Sequence, residues 1–170
     1  MKIAIHNRED EFSSKWIEYC KKNNIEYKNV NAYENRIIDK LKDCDAFMWH
    51  FHHMHPKDHL FAKQLLYTLE SYGKAVFPNF RTAWHFDDKI GQKYLLEGIG
   101  APLVPTYVFY DKREAYSWAE NTSYPKVFKL RHGSGGSHVR LVYNENTAKK
   151  LIKKAFGKGF KQYNAVSNLR

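Results

Sequence analysis

The sequence has 170 residues, enough for one domain or two small ones, which excludes a large multidomain enzyme. Hydrophobic residues make up 43% and charged residues 27%, a balance typical of a globular chain rather than a disordered one. No apolar stretch is long enough to span a bilayer, and the first residues resemble a strand rather than a signal peptide. Two cysteines, Cys20 and Cys44, are too few for a disulfide framework. We therefore expect a cytoplasmic protein without a membrane partner.

The net charge of +10 is unevenly distributed along the chain. Residues 86–170 hold 15 lysines and arginines against 7 acidic residues, and no acidic residue follows Glu145. Two explanations are open. Either this half binds a polyanion, or the acidic residues that balance it lie on chain outside these 170 residues.

The first 80 residues alternate strand and helix patterns. We predict four strands, over residues 2–6, 25–30, 46–51 and 74–77. The helices predicted between them are a first one with Phe12, Trp16, Tyr19 and Cys20 on its buried face, a second over residues 34–42, and a third over 56–72 with Phe61, Leu65 and Leu69 inward and Gly73 just past its end. Strands separated by helices of this length predict right-handed crossovers and a small, parallel, three-layer α/β sheet of Rossmann-like type.

The pattern changes after residue 80. We predict a helix over 81–98 that is broken by Gly98 and Gly100, and a strand over 104–110. A helix capped by Asp111, a strand over 126–130, a second strand over 138–142 and a helix over 146–156 follow, the last with Leu151, Ile152 and Ala155 inward. A strand, a glycine-rich loop and a returning strand form a hairpin, so this half is predicted to be α+β.

The loop over residues 131–137 contains three glycines in four positions. Glycine lets successive backbone N–H groups turn towards one anion, and such an arrangement binds phosphate oxygens. Lys129 and Arg131 alternate along the incoming strand, so their side chains share a face beside the loop. The sequence lacks GxxxxGK[ST], and the loop leads into a strand, which excludes a P-loop and a dinucleotide fingerprint. A phosphate-covering loop and a plain flexible hairpin turn are the interpretations that remain.

Five histidines occur in the ten positions from 50 to 59, directly after the third predicted strand. The carboxyl ends of parallel strands form the ligand crevice of an open sheet, so His50, His52 and His53 are candidates for substrate binding. A metal site is a second alternative, but the spacing matches no zinc signature. An exposed loop without a ligand is the third.

The order of motifs in the second half resembles the front half of the ATP-grasp superfamily, whose members include D-alanine ligases, glutathione synthetases and carboxylases. The resemblance rests on Asn79, Thr82, Asp88-Lys89, Leu95-Leu96, Gly100-Ala101-Pro102, Pro105-Thr106, Lys129 and the glycine loop. It implies a pre-ATP-grasp domain over residues 1–80, a connecting helix and loop over 81–103, an ATP-grasp amino-terminal subdomain over 104–157 and a basic tail over 158–170.

The resemblance also implies a function. Lys89 and Lys129 would contact nucleotide phosphates together with Arg131, and Gly133, Ser134, Gly135, Gly136 and Ser137 would form the loop that closes over them. Such enzymes use Mg-ATP to phosphorylate a small-molecule carboxylate and then let an amine displace the phosphate, which needs positioned cations rather than a protein nucleophile.

The family's magnesium ligands are acidic residues that lie later in the chain, and this sequence has none after Glu145. The resemblance therefore implies a truncated sequence that is inactive by itself, with the magnesium ligands on other chain, and it leaves a homodimer open. The alternative function is a non-catalytic basic domain that binds a polyanion through the lysines of residues 149–161. We do not expect a nucleic-acid partner, because no recognised nucleic-acid motif accompanies those lysines.

Overall fold

The computed structural model describes residues 1–9, 11–53, 55–132, 136 and 138–160. The chain divides into two compact units, unit 1 over residues 1–86 and unit 2 over residues 87–170. The four segments that we predict from the sequence remain predictions.

Unit 1 is built on a parallel four-stranded sheet with the strand order β2-β1-β3-β4. Its strands are β1 (Ile3–His6), β2 (Tyr27–Val30), β3 (Ala46–Met48) and β4 (Ala75–Phe77). Its helices are α1 (Phe12–Lys22), α2 (Ile37–Lys40), α3 (Pro56–Ser71) and α4 (Phe80–Ala83). In the register of the sheet, Ile3 pairs with both Tyr27 and Ala46, so β1 lies at the centre between β2 and β3.

Helices cover both faces of this sheet. On one face, Ile3 and Ile5 of β1 pack in one cluster with Ile17 and Cys20 of α1. On the other face, Ala4 and Phe47 pack with side chains of the two following helices, which are Ile37, Leu41, Leu65, Leu66 and Leu69. The alternation of the strand residues between the two clusters follows from the two-residue period of a strand. The predicted three-layer α/β architecture is confirmed.

The predicted buried face of α1 is confirmed at Cys20 and Trp16 and wrong at Phe12 and Tyr19. The buried residues of this helix are Ser13, Ile17 and Cys20, whereas Phe12 and Tyr19 are each 63% exposed. The hydrophobic pattern predicts that the large aromatic residues form the buried face of α1. The residues that are buried against the sheet include the smaller Ser13 and Cys20. Phe61, predicted to point inward from α3, is likewise 49% exposed.

Other details of unit 1 differ less. The second helix is a single turn, and the third strand ends at Met48, although Trp49 and Phe51 beyond it are buried. Gly73 follows α3 with φ +86°, as a residue just past a helix end often does, and this prediction is confirmed.

Unit 2 combines helices with a two-stranded antiparallel sheet. It contains α5 (Lys89–Gly98), α6 (Lys112–Asn121), β5 (Lys126–Lys129), β6 (Val139–Val142) and α7 (Glu145–Ala155). Its core is formed by small and aliphatic residues of α6, β6 and α7, which are Ala115, Ala119, Val142, Ala148 and Ile152. The predicted hairpin is confirmed, with Lys129 of β5 paired with Val139 of β6. The side chain of Asp111 accepts hydrogen bonds from the first turn of α6, as predicted.

Two predicted elements near the start of unit 2 are wrong. Residues 104–109 form no strand, because Tyr107 and Phe109 pack on Trp118 of α6, with ring centroids 5.0 Å and 5.2 Å apart. The predicted helix over 81–98 is two helices, because Asp87 adopts φ +49° and Asp88 is extended, which starts α5 afresh.

The predicted inward face of α7 is confirmed at Ile152, which is buried, and Leu151 packs partly buried against the core, but the second buried position is Ala148 rather than Ala155. Among the residues that the structure describes, no helix is long and apolar enough to cross a membrane.

Candidate functional site

In unit 2, the first residue of α5 is hydrogen-bonded to the end of the hairpin strand β5. The backbone N–H of Lys89 donates to the carbonyl of Arg131 over 3.1 Å. Asp88 is the N-cap of α5, and its Oδ1 accepts hydrogen bonds from the N–H groups of Ile90 and Gly91, each at 3.1 Å. The helix that carries Lys89 is therefore fixed to the strand that carries Lys129.

The side chain of Asp88 also pairs with Arg131. Arg131 Nε lies 3.0 Å from Oδ1, and Nη2 lies 2.5 Å from Oδ2. Burial raises the pKa of the Asp88 carboxyl, but the hydrogen bonds from Arg131, Gly91 and Ile90 outweigh burial and lower it to about 2. Asp88 is thus charged at neutral pH although only 6% of it is exposed.

Four of the predicted phosphate-binding residues have described positions near this end of the hairpin. Lys129 is the exposed last residue of β5, and Arg131 follows two residues later. The ammonium of Lys89 lies 3.9 Å from the Asp87 carboxylate, with 30% of its side chain exposed. Gly136 adopts φ +73°, and its carbonyl accepts a hydrogen bond from Val139 N–H. Gly133, Ser134, Gly135 and Ser137 lie outside the described residues.

Arg131 and Lys89 both lie beside an acidic residue. The Arg131 guanidinium is bonded to Asp88 at two points, whereas the Lys89 ammonium lies 3.9 Å from Asp87, so Arg131 enters the site as half of a close ion pair. The sequence analysis missed this pairing. Its signal was the N-cap position of Asp88, because a carboxylate before a helix is a common cap, but no local pattern indicates a partner 43 positions away.

In unit 1, a buried ion pair lies under the carboxyl ends of β1 and β3. Asp58, in the first turn of α3, is fully buried and accepts hydrogen bonds from Arg8 Nη2 at 2.5 Å, from His52 N–H at 2.6 Å and from the Tyr33 hydroxyl. Arg8 also donates to the carbonyl of His50 over 3.4 Å. The Arg8–Asp58 pair thus fixes the backbone of His50 and His52. We call the stretch that carries His50, His52 and His53 the histidine segment.

Burial and charge shift the pKa of both partners of Asp58. Burial lowers the pKa of Arg8, but its bond to Asp58 outweighs this and raises it. Burial and the same carboxylate raise the pKa of Tyr33 to about 12, so the hydroxyl keeps its proton and donates it to the Asp58 hydrogen bond.

The structure brings the three candidate histidines together. The rings of His50 and His52 lie 6.0 Å apart, and those of His52 and His53 lie 4.1 Å apart. Burial and the neighbouring histidines, His53 first among them, lower the pKa of His52, which keeps it neutral at pH 7. Within the described ranges, no group of three or more His, Cys, Asp or Glu side chains could hold a metal ion, so the metal alternative has no support there.

The lysines of α7, which carry the polyanion alternative, are partly engaged within unit 2. The Lys149 ammonium lies 2.5 Å from Glu120 and 2.7 Å from Glu145, and these hydrogen bonds raise its pKa. Lys154 lies over the ring of Phe160, 4.5 Å from its centroid. At least one of the four positive charges of this helix is therefore balanced.

One known protein family matches most of unit 2. Residues 88–166 match the family described as carbamoyl-phosphate synthase L chain, ATP binding domain. No curated protein matches the chain.

Solved structures match both halves of the chain at low sequence identity. An ATP-grasp RimK domain protein from Sphaerobacter thermophilus is 17% identical with a TM-score of 0.68, over 95% of this chain and 61% of that one. N5-carboxyaminoimidazole ribonucleotide synthetase from Thermotoga maritima is 21% identical with a TM-score of 0.63, over 88% and 42%. These likenesses show the fold alone.

A third match is a domain dimer bound to ligands. The biotin carboxylase domain of Hydrogenobacter thermophilus 2-oxoglutarate carboxylase, solved with MgADP, ADP and bicarbonate, is 19% identical with a TM-score of 0.62, over 88% of this chain and 39% of that one. The chain thus spans between 39% and 61% of the length of these three solved chains.

Proposed function

We propose that this chain, whose residues 88–166 match an ATP-binding domain family and whose fold resembles solved ATP-grasp structures, supplies the triphosphate-binding part of an ATP-dependent carboxylate–amine ligase. The observation that carries the proposal is the hydrogen bond between Lys89 N–H and the Arg131 carbonyl, 3.1 Å long. It joins the helix of one candidate lysine to the strand of the other, beside the glycine loop. Two ammonium groups and a loop of backbone donors can then act on one phosphate chain.

The proposed reaction has two steps. A carboxylate oxygen of the substrate attacks the γ-phosphorus of ATP, which forms an acyl phosphate and releases ADP. The amine then attacks the acyl carbon, and inorganic phosphate leaves. Lys89 and Lys129 would neutralise the phosphate oxygens as negative charge shifts onto the departing ADP, and N–H groups of residues 133–137 would donate hydrogen bonds to them.

The magnesium that the resemblance implies does not fit the residues described. No cluster of acidic side chains suited to a metal occurs among them. We therefore assign no role to a metal ion in either step. That the magnesium ligands lie on chain outside these 170 residues stays a prediction. Inactivity of the chain by itself, a homodimer and a cytoplasmic location also stay predictions.

We assign the body of the substrate to the histidine segment of unit 1. His50, His52 and His53 follow β3 at the carboxyl edge of a parallel sheet, the edge at which open α/β sheets bind ligands. Imidazole ring nitrogens can hydrogen-bond to polar groups of a small molecule.

Titration of the chain with Mg-ATP, followed by NMR, tests the phosphate site. We expect shifts of backbone resonances in β5 and β6, with an affinity at least tenfold weaker in Lys129→Gln, which corresponds to about 1.4 kcal/mol. Lys126→Gln is the matched control, since Lys126 lies on the same strand and its replacement removes the same charge, but its ammonium lies over Tyr107. Equal affinities in the wild type and Lys129→Gln would refute the phosphate site.

A further inference from the structure

Four aromatic rings meet at the carboxyl edge of the unit 1 sheet, and we call this group the ring cluster. It consists of Phe12 and Trp16 of α1, His50 after β3, and Phe77 at the end of β4. The ring of Trp16 lies 5.7 Å from Phe77, 6.4 Å from His50 and 6.4 Å from Phe12, and Phe12 lies 5.3 Å from His50. Each ring therefore contacts at least one other.

Two of the four rings are not used by the core of unit 1. Trp16 packs partly buried against the core cluster that contains Ile17 and Cys20, whereas Phe12 lies on the same helix outside it. Phe12 is 63% exposed and Phe77 is 56% exposed, an arrangement that costs solvation free energy unless another molecule covers them. Exposed rings beside a partly buried tryptophan at the ligand edge of a parallel sheet are a candidate binding feature.

The segment that supplies His50 is held in place before any ligand arrives. Asp58 binds His52 N–H, and Arg8 binds the carbonyl of His50. Burying this charged pair is costly, and such pairs contribute more to a defined geometry than to stability. A fixed segment lowers the entropy cost of binding, so the ring cluster is preorganised.

The charged side chains described at this edge are engaged with one another. Arg8 is already bonded to Asp58 and lies 3.5 Å from Glu11, and Glu11 also binds His55 at 3.0 Å. Lys57 lies over the ring of Tyr33, 5.4 Å from its centroid. At the ring cluster itself, the Nδ1 atom of His50 is buried and has no hydrogen-bond partner among the described residues.

We propose that the ring cluster binds an uncharged, planar heteroaromatic ring, which packs on Phe12, Trp16 and Phe77 and hydrogen-bonds to His50. An apolar aliphatic group would leave His50 Nδ1 without a partner, and an anionic group would meet the partly exposed carboxylate of Glu11, which directly precedes Phe12. The assignment of this ring to the body of the carboxylate substrate, away from its reacting carboxylate, rests on the proposed function.

Titration with indole and with benzimidazole at pH 7.5, followed by NMR, tests the ring cluster. The indole N–H resonance of Trp16, assigned by Trp16→Phe, is the reporter. We expect both compounds to shift it, and Phe12→Ala to weaken binding by about 3- to 10-fold. Tyr19→Ala is the matched control, because Tyr19 lies on the same helix with the same 63% exposure and has no ring contact in the cluster among the described residues.

Two further arms test the polarity of the ligand. Benzoate and cyclohexanol should bind at least fivefold more weakly than benzimidazole, and His50→Phe, which keeps a ring but removes the nitrogen, should weaken benzimidazole more than indole. The proposal is overturned if neither ring compound shifts the Trp16 resonance, if Tyr19→Ala weakens binding as much as Phe12→Ala, or if benzoate binds as tightly as benzimidazole. None of these compounds carries phosphate, so a negative result leaves the Mg-ATP titration standing as a separate test of the proposed function.

Discussion

Asp88 and Arg131 form a two-point ion pair across 43 positions of sequence, with Nε to Oδ1 at 3.0 Å and Nη2 to Oδ2 at 2.5 Å. The same Oδ1 atom caps α5 by accepting from Ile90 N–H and Gly91 N–H. One carboxylate therefore stabilises the start of a helix and fixes the end of a strand. Both elements carry a lysine that we assign to ATP.

Replacing Asp88 by asparagine should make unit 2 less stable at neutral pH. Asparagine keeps the cap but loses the ion pair, so we expect a loss of about 1–2 kcal/mol in the free energy of unfolding at pH 7. The folded pKa of Asp88 lies near 2, below its ordinary value. Its charge therefore stabilises the fold above about pH 4, and this contribution is lost as the pH falls towards 2.

Urea unfolding of wild type and Asp88→Asn between pH 2.5 and pH 7 measures this difference. The gap between the two midpoints should narrow as the pH falls. Asp111→Asn is the control, since Asp111 caps α6 in the same way but is 55% exposed and has no two-point arginine partner among the described residues. A gap that stays constant with pH would show instead that the substituted asparagine fails as a cap.

Asp58→Asn should destabilise unit 1 more strongly. Removing the buried charge leaves Arg8 with only the more distant carboxylate of Glu11, and breaking a buried pair in this way costs about 3–5 kcal/mol. Thermal or urea unfolding measures the loss, and the backbone N–H resonance of His52 should shift because its acceptor changes. Asp39→Asn breaks only the surface pairs with Arg36 and Lys42 and should change the midpoint little. Similar midpoints for the two variants would contradict the buried pair.

Two glycines at the end of α5 should respond oppositely to alanine. Gly100 adopts φ +67°, where a Cβ is strained, so Gly100→Ala should cost about 1 kcal/mol. Gly98 lies in the helix, so Gly98→Ala should be neutral or stabilising by a few tenths of a kcal/mol. Neither position has an atom within 4 Å of the added Cβ, which leaves backbone conformation as the cause. Denaturation midpoints check the opposite signs.

Neutralising α7 should leave ATP binding unchanged. The variant replaces four lysines by Gln, namely Lys149, Lys150, Lys153 and Lys154. In the Mg-ATP titration we expect an affinity within twofold of wild type. Fluorescence anisotropy with a single-stranded DNA 20-mer tests the alternative function. Submicromolar affinity at 150 mM salt that falls steeply with salt and disappears in the variant would favour a polyanion-binding domain over the ligase.

Much of the fold was predictable because its signals are local. Apolar runs separated by helical periods predicted the parallel sheet, and Gly73 and Asp111 marked a helix end and a helix start. The face of α1 was not predictable from hydrophobicity, because the sheet buries Ser13 and Cys20 while the larger Phe12 stays exposed.

The remaining errors concern long-range partners. Residues 104–109 have the alternation of a strand, but their aromatic side chains pack on Trp118. In the candidate site, glycine spacing indicated the loop and strand alternation indicated Lys129 and Arg131, whereas Lys89 came from the resemblance to the ATP-grasp superfamily. Only the contact of Arg131 with Asp88 shows that its charge is already compensated.

The histidine segment has its shape only because Arg8, Tyr33 and Asp58 meet beneath it, and these residues come from three separate stretches of the chain. A synthetic peptide of residues 49–59, or the same residues grafted onto another scaffold, would carry every histidine but lack Arg8 and Tyr33. Transplanting this segment would therefore transfer its composition without its conformation, and any engineered reuse of it must move β1 and the turn after β2 as well.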